Sequence, residues 1–142
     1  MKYQKGKIMK EIQAGTVSRY CKPSTLDGNS PTGSSFQLRK ERDEKYLSVY
    51  LLDFFRKAQE KEGILDIKFF MEKNGFKVKP KGAFALLDVK HSKEYIFQLI
   101  KEKISYKELN IPHCGVFHEY DDLLISELLS QCVKTFYIIE NL

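Results

Sequence analysis

The sequence has few cysteines and no long apolar run, and each of these absences excludes a class of protein. Three cysteines among 142 residues, an odd number, do not make a disulfide framework, so we expect a reducing environment. No apolar run approaches the roughly 18 residues that a membrane span requires. The basic start, MKYQKGKIMKEIQAG, lacks the apolar stretch of a secretory signal. We therefore expect a cytoplasmic protein with no membrane partner.

The common signatures of metal and nucleotide sites are also missing. The chain has no CxxC, no HExxH and no Gly-Lys-Ser/Thr ending of a P-loop. His113, Cys114 and His118 lie close in sequence, but in a strand His113 faces away from the other two. Cys114 and His118 would then be too far apart along the strand to share one metal ion. We expect no metal site and no cofactor, with a zinc site that also uses Cys21 as the alternative.

What the chain does contain is enough apolar material for one core. Its 142 residues are 42% apolar and 13% aromatic, which indicates a single domain over residues 1–142. Strand-like and helix-like segments are interleaved without an internal repeat. We predict an α+β domain with one twisted, mixed or mostly antiparallel sheet packed by three or four helices. Residues 1–14 are predicted to be a mobile basic start.

Local patterns place the elements of this domain. Apolar periodicity and stop signals such as Asn74-Gly75 predict helices over 51–61, 65–74, 93–104 and 119–133, with Ser92 as the cap of the third. β-Branched and aromatic content predicts strands over 16–21, 36–38, 46–50, 83–89, 112–118 and 136–139. The segment 83–89 is apolar at every position but Asp88, which is typical of a strand covered on both faces.

The net charge of +5 is distributed unevenly along the chain. Residues 1–10 carry +4, residues 11–66 are neutral, residues 67–107 carry +6 and residues 108–142 carry −5. Such asymmetry can steer an anionic partner to one face. Most of the excess is lysine, and only four arginines are present. Since phosphate-reading surfaces favour arginine, an ordinary solvated lysine surface is the alternative.

Residues 22–35 form the longest turn-rich segment, and they lie between two arginines. Gly, Pro, Ser and Thr dominate this loop, and loops of that length are often functional. Arginine side chains and hydroxyls together can hold a phosphate or a carboxylate. We predict that an anion binds here, through Arg19, Arg39, Thr32 and Ser34. The alternative is an ordered surface loop in which Asp27, Ser30 and Thr32 make local side-chain turns.

Nucleic-acid binding would draw on the lysines of 67–107, with neighbouring aromatic residues. At helical spacing, however, these aromatics are predicted to belong to the core rather than to a stacking platform: Phe69, Phe70, Phe76 and Tyr95. The lysines alone would support only weak, salt-sensitive binding of nucleic acid or nucleotides.

Scattered blocks of the sequence combine an arginine-bearing strand, a Ser/Thr-x-x-Ser-Phe element, an acidic turn, a Leu-Ser-Val strand and a Pro-His element: Arg19-Tyr20-Cys21, Thr32 to Phe36, Asp43-Glu44, Leu47-Ser48-Val49 and Pro112-His113. In these blocks the chain resembles a loose family of small uncharacterised bacterial proteins. The resemblance implies that Arg19, Ser35, Phe36, Asp43 and His113 belong to one site or one structural nucleus. It carries no activity to transfer.

Two functions follow from these observations as hypotheses. The first is a bacterial binding or accessory protein that recognises an anionic ligand or a partner protein of the same system, such as an antiviral defence or mobile-element system. The second is an enzyme acting on a phosphorylated or nucleotide substrate, in which Arg19 and Arg39 hold the anion, Ser35 orients it and His113 is the acid/base group.

Overall fold

The protein, represented by a computed structural model that describes residues 9–142, contains nine strands and three α-helices in that range. The strands are β1 (Glu11–Ile12), β2 (Thr16–Cys21), β3 (Leu26–Asp27), β4 (Ser30–Pro31), β5 (Leu47–Leu51), β6 (Ala83–Asp88), β7 (Ser105–Asn110), β8 (His113–Phe117) and β9 (Val133–Ile138). The α-helices are α1 (Glu60–Lys73), α2 (Val89–Ile100) and α3 (Asp122–Gln131). None of these helices has both the length and the apolarity needed to cross a membrane.

Seven strands form one sheet in the order β1-β7-β8-β5-β2-β6-β9, and each neighbouring pair is antiparallel. Strands β3 and β4 form a separate small hairpin in the long loop. The predicted α+β class, with a mostly antiparallel sheet packed by helices, is confirmed.

Each face of the sheet carries its own apolar cluster. Helices α2 and α3 pack on one face, and α1 packs on the other through Ile64, Ile67 and Met71. Strand β6 serves both faces, because its side chains alternate: Ala85 and Leu87 join the first cluster, and Phe84 and Leu86 join the second. This explains the nearly continuous apolar run and confirms the predicted covered strand.

The helix predicted over 51–61 is wrong. Strand β5 extends through Leu51, whose N–H donates to the Pro112 carbonyl, and a short 3-10 helix follows over Leu52–Phe55. Arg56 then adopts a left-handed conformation with φ 51°, which ends the turn before α1 begins at Glu60.

The start of α2 also differs from the prediction. Asp88 is the cap, since its carboxylate accepts from the His91 N–H at 2.8 Å. Ser92 lies inside the helix and is buried, where its hydroxyl contacts the Val89 carbonyl and the Tyr106 hydroxyl. Asp88 and Ser92 are both good cap residues, so the sequence pattern did not separate them.

Two further segments depart from the predictions. Strand β7 was not predicted, because its polar sequence, SYKELN, shows only Tyr106 and Leu109 as buried positions. The strand predicted over 36–38 is wrong, since Gly33–Phe36 form a 3-10 helix. Of the predicted mobile start, residues 1–8 lie outside the described residues, and Glu11–Ile12 instead pair with β7 as an edge strand.

Candidate functional site

The neighbouring strands β2 and β5, in the middle of the sheet, pair over only part of their length. β2 pairs with β6 along its whole length, Thr16–Cys21, but with β5 only at Val17 and Ser18. β5 in turn pairs with β8 from Leu47 to Tyr50. The two strands therefore diverge toward the long loop that connects them, and the sheet is open there.

Arg19 occupies the opening between the two strands. Its Nε donates to the Ser35 carbonyl at 2.8 Å, and its Nη1 donates to the Ser48 carbonyl at 3.0 Å. The guanidinium thus takes the place of ladder hydrogen bonds and joins β2, β5 and the 3-10 helix Gly33–Phe36. Burial lowers the pKa of Arg19 from its ordinary value, although an arginine stays charged at neutral pH.

A cleft of about 660 Å³ lies beside Arg19 and is strongly basic. Six basic side chains line it, against one acid, Glu41: Arg19, Lys22, Arg39, Arg42, Lys77 and Lys79. Within residues 9–142, only Arg39 of these six forms an ion pair, with Glu44. The cleft therefore holds positive charge that the described part of the chain does not neutralise by direct pairing.

Arg39 is held in place by Glu44. Its Nε and Nη2 donate to Glu44 Oε2 at 3.0 and 2.7 Å, and its backbone N–H donates to Oε1. These bonds raise the pKa of Arg39. Burial alone would raise the pKa of Glu44, but the hydrogen bonds from Arg39 hold it below its ordinary value. The pair fixes the loop next to the cleft and leaves less free charge on Arg39.

The predicted hydroxyl residues divide into two groups. Thr32 donates to the Thr25 carbonyl at 2.8 Å and accepts from the Ser34 N–H, while the Ser35 hydroxyl contacts the Thr25 hydroxyl at 2.8 Å. These bonds hold the two ends of the loop together. Ser34 is exposed and lines the cleft, so its hydroxyl is accessible to a ligand.

His113 contacts a lining residue of the cleft rather than the cleft itself. Its Nε2 lies 3.1 Å from the Ser48 hydroxyl, and its ring stacks on Tyr50 with centroids 5.2 Å apart. Burial lowers the pKa of His113, which favours the neutral ring at pH 7. Arg19 and His113 thus both contact Ser48: Arg19 donates to its carbonyl, and His113 contacts its hydroxyl. Within residues 9–142 no hydrogen bond joins His113 to Ser35.

Tyr50 is a site residue that the sequence did not reveal. Its side chain is only 2% exposed, yet it lines the cleft, and its hydroxyl has no hydrogen bond within the described residues. Burial raises the pKa of Tyr50 to about 12, so the group stays protonated and can donate. The sequence pattern predicted only a strand over 46–50 and gave no role to the Tyr50 side chain.

Lys77 and Lys79 come from a different part of the chain. They follow α1 and flank the buried Val78, so both lysines face outward where the segment passes the cleft. The lysine excess of 67–107 was visible in the sequence, but it did not show which lysines face Arg19. Of the ten lysines in residues 67–107, the tertiary structure places two, Lys77 and Lys79, in the lining of the cleft.

The prediction that the aromatic residues near these lysines belong to the core is wrong for two of them. Phe69 is 68% exposed and Phe76 is 51% exposed, whereas Phe70 packs against the α1 cluster. Helix α1 fills its cluster with Ile64, Ile67 and Met71 instead. Phe76 also lines the cleft, beside Lys77.

The three cysteines are free and buried, and no group of three or more potential metal ligands occurs among residues 9–142. Burial raises the pKa of Cys21, raises that of Cys114 to about 12 and raises that of Cys132 to about 11.

We expect a disulfide reagent such as DTNB to label the native protein at least roughly 100-fold more slowly than the urea-unfolded protein. Rapid labelling of a native cysteine would contradict this arrangement.

The structure therefore brings Arg19, Arg39 and Ser34 of the predicted anion site together with Lys77, Lys79 and Tyr50. Thr32 and Ser35 shape the loop. His113 does not line the cleft but contacts Ser48, which does. The similarity to a bacterial family stays a prediction. The chain matches no protein-family model, no curated protein and no solved structure.

Proposed function

We propose that the protein is a binding module that holds a phosphate-bearing anionic ligand in the basic cleft. The observation that carries the proposal is the set of five lining cations without an ion-pair partner in residues 9–142: Arg19, Lys22, Arg42, Lys77 and Lys79. Like charges gathered in a concave site focus the field and attract an anion. A volume of about 660 Å³ lies within the usual range of small-molecule sites.

The inner and outer parts of the cleft serve different purposes in this proposal. Arg19 is fixed by two backbone carbonyls, so its remaining N–H donors are already oriented before a ligand arrives. The Tyr50 hydroxyl adds a neutral donor. Lys22, Arg42, Lys77 and Lys79 are exposed, so they attract the anion over a longer range, and added salt weakens this attraction.

The enzymatic alternative has less support. It needs Ser35, Arg19 and His113 to converge on one substrate, because catalytic groups must lie within hydrogen-bond reach of the reacting atoms. The Ser35 hydroxyl bonds to Thr25 instead, and His113 meets the cleft through Ser48. A binding role requires none of these three groups to move.

The proposal is tested by charge reversal with a matched control. The variant Lys77→Glu/Lys79→Glu changes two lysines of the cleft, and Lys90→Glu/Lys103→Glu changes two exposed lysines elsewhere by the same net charge. At low ionic strength we expect the first variant to bind tripolyphosphate at least about tenfold more weakly than the native protein in calorimetric titration. The control is expected to lose no more than about twofold.

Two results would contradict the proposal. One is the absence of any tripolyphosphate binding to the native protein. The other is an equal loss of affinity in both double variants, which would mean that overall charge, and not the cleft, attracts the anion. Circular dichroism of each variant establishes that the fold is intact.

A further inference from the structure

Phe76 forms an exposed aromatic wall at the cleft. Helix α1 ends at Lys73, Gly75 turns the chain with φ +88°, and the Phe76 N–H donates back to the Met71 carbonyl at 3.0 Å. Val78 then enters the core and leaves Phe76 on the outside. A single exposed phenylalanine needs no explanation by itself. This one lies in a basic cleft and is followed directly by Lys77.

Aromatic and cationic groups side by side suit a ligand with a planar ring and phosphates. The face of an aromatic side chain stacks on any nucleobase, while lysine and arginine hold the phosphate oxygens. Gln37 also lines the cleft, and its amide has no hydrogen bond within residues 9–142. That amide offers both a donor and an acceptor to the edge of a base.

We infer that the ligand of the cleft is a nucleoside polyphosphate. Its base stacks on Phe76, and its phosphates bind the five cations named above: Arg19, Lys22, Arg42, Lys77 and Lys79. This inference rests on the proposed function and names its ligand class. Of the three aromatic residues that line the cleft, only Phe76 has a free ring face within residues 9–142. The Tyr20 ring packs on Phe84 and its hydroxyl accepts from the Lys79 N–H, and the Tyr50 ring stacks on His113. One base with several phosphates fits one aromatic face and five cations that have no ion-pair partner in the described part of the chain. A single-stranded nucleic acid usually meets several stacking residues.

A tryptophan reporter tests where the base lies. The chain has eight tyrosines but no tryptophan, so Phe76→Trp provides a single tryptophan at the cleft whose fluorescence can be excited selectively. We expect ATP and GTP to quench its fluorescence, because the base stacks on the indole. Tripolyphosphate is expected to bind without comparable quenching. Phe69→Trp, on the exposed face of α1 outside the cleft lining, is the matched control and is expected to show no quenching.

Removal of the aromatic face tests how much it contributes. We expect Phe76→Ala to weaken ATP binding by about tenfold and to leave tripolyphosphate binding unchanged. Phe69→Ala is expected to change neither. Both side chains are exposed, so we expect Phe76→Ala and Phe69→Ala to fold, and circular dichroism checks this. If either variant fails to fold, the Trp variants provide the test.

The outcomes separate the two proposals. If ATP binds no more tightly than tripolyphosphate, or if Phe76→Ala weakens the binding of both ligands equally, the inference of a nucleotide ligand is overturned. The proposed anion site would then still stand. Failure of the native protein to bind tripolyphosphate overturns the proposed function itself. Tighter binding of a single-stranded oligonucleotide than of ATP, lost in Phe76→Ala, would overturn the mononucleotide in favour of a nucleic-acid strand.

Discussion

Replacement of Arg19 by methionine is expected to abolish tripolyphosphate binding and to lower the free energy of unfolding by about 2–4 kcal/mol. The guanidinium is the shared partner of the Ser35 and Ser48 carbonyls. Without it, each carbonyl loses a charged donor in a partly buried position, at a cost of about 1–2 kcal/mol. Methionine keeps the length and apolar stem of the side chain, so the lost group is mainly the guanidinium.

Arg19→Lys separates the two roles of this residue. Lysine retains the charge, but its compact ammonium cannot reproduce the planar fork that joins two carbonyls. We expect Arg19→Lys to keep measurable anion binding and to lose stability nonetheless. Urea unfolding gives the stability, and calorimetry at a temperature where both variants are folded gives the affinity. Native affinity in Arg19→Met would remove Arg19 from the site.

Phe36→Ala is expected to lower the free energy of unfolding by about 3–5 kcal/mol and to weaken anion binding as well. Phe36 is 1% exposed and ends the 3-10 helix Gly33–Phe36 in the cluster beneath α3. It is the main apolar anchor of that short helix. Loss of the ring releases the segment that places the Ser35 carbonyl against Arg19, so the orientation of the guanidinium is lost too.

Ile96→Ala provides the control for this prediction. Ile96 is fully buried in the same cluster, but it belongs to α2 and is not among the residues that line the cleft. We expect a loss of stability of about 2–5 kcal/mol with native affinity for tripolyphosphate in the folded protein. Equal affinity in both variants would show that the loop anchor does not position Arg19.

Most of the secondary structure follows from local patterns. The apolar run of β6, the Asn74-Gly75 stop of α1 and the acidic start of α3 each have a local physical cause, and the structure confirms those elements. The failures lie where tertiary contacts override the local pattern. Leu51 stays in a strand because it pairs with Val17 of β2 and its N–H donates to the Pro112 carbonyl, despite a helical apolar pattern.

The candidate site was predicted in part. Arg19, Arg39 and Ser34 were found because an unusual loop flanked by arginines is a local feature. Tyr50, Lys77, Lys79 and Phe76 were not, since a buried tyrosine and exposed lysines are ordinary in any sequence. Only packing shows that the segment after α1 passes beside the loop that follows β2.

Taken alone, the sequence determined a single α+β domain, the alternation of its main elements and an excess of lysine in its middle. These depend on composition and on the periods of strand and helix, which neighbouring residues set among themselves. The tertiary structure decided where β2 and β5 cease to pair, because the length of a strand ladder depends on both strands and on what packs around them. That divergence admits Arg19 and opens the cleft, and it determines which of the many positive charges face one another.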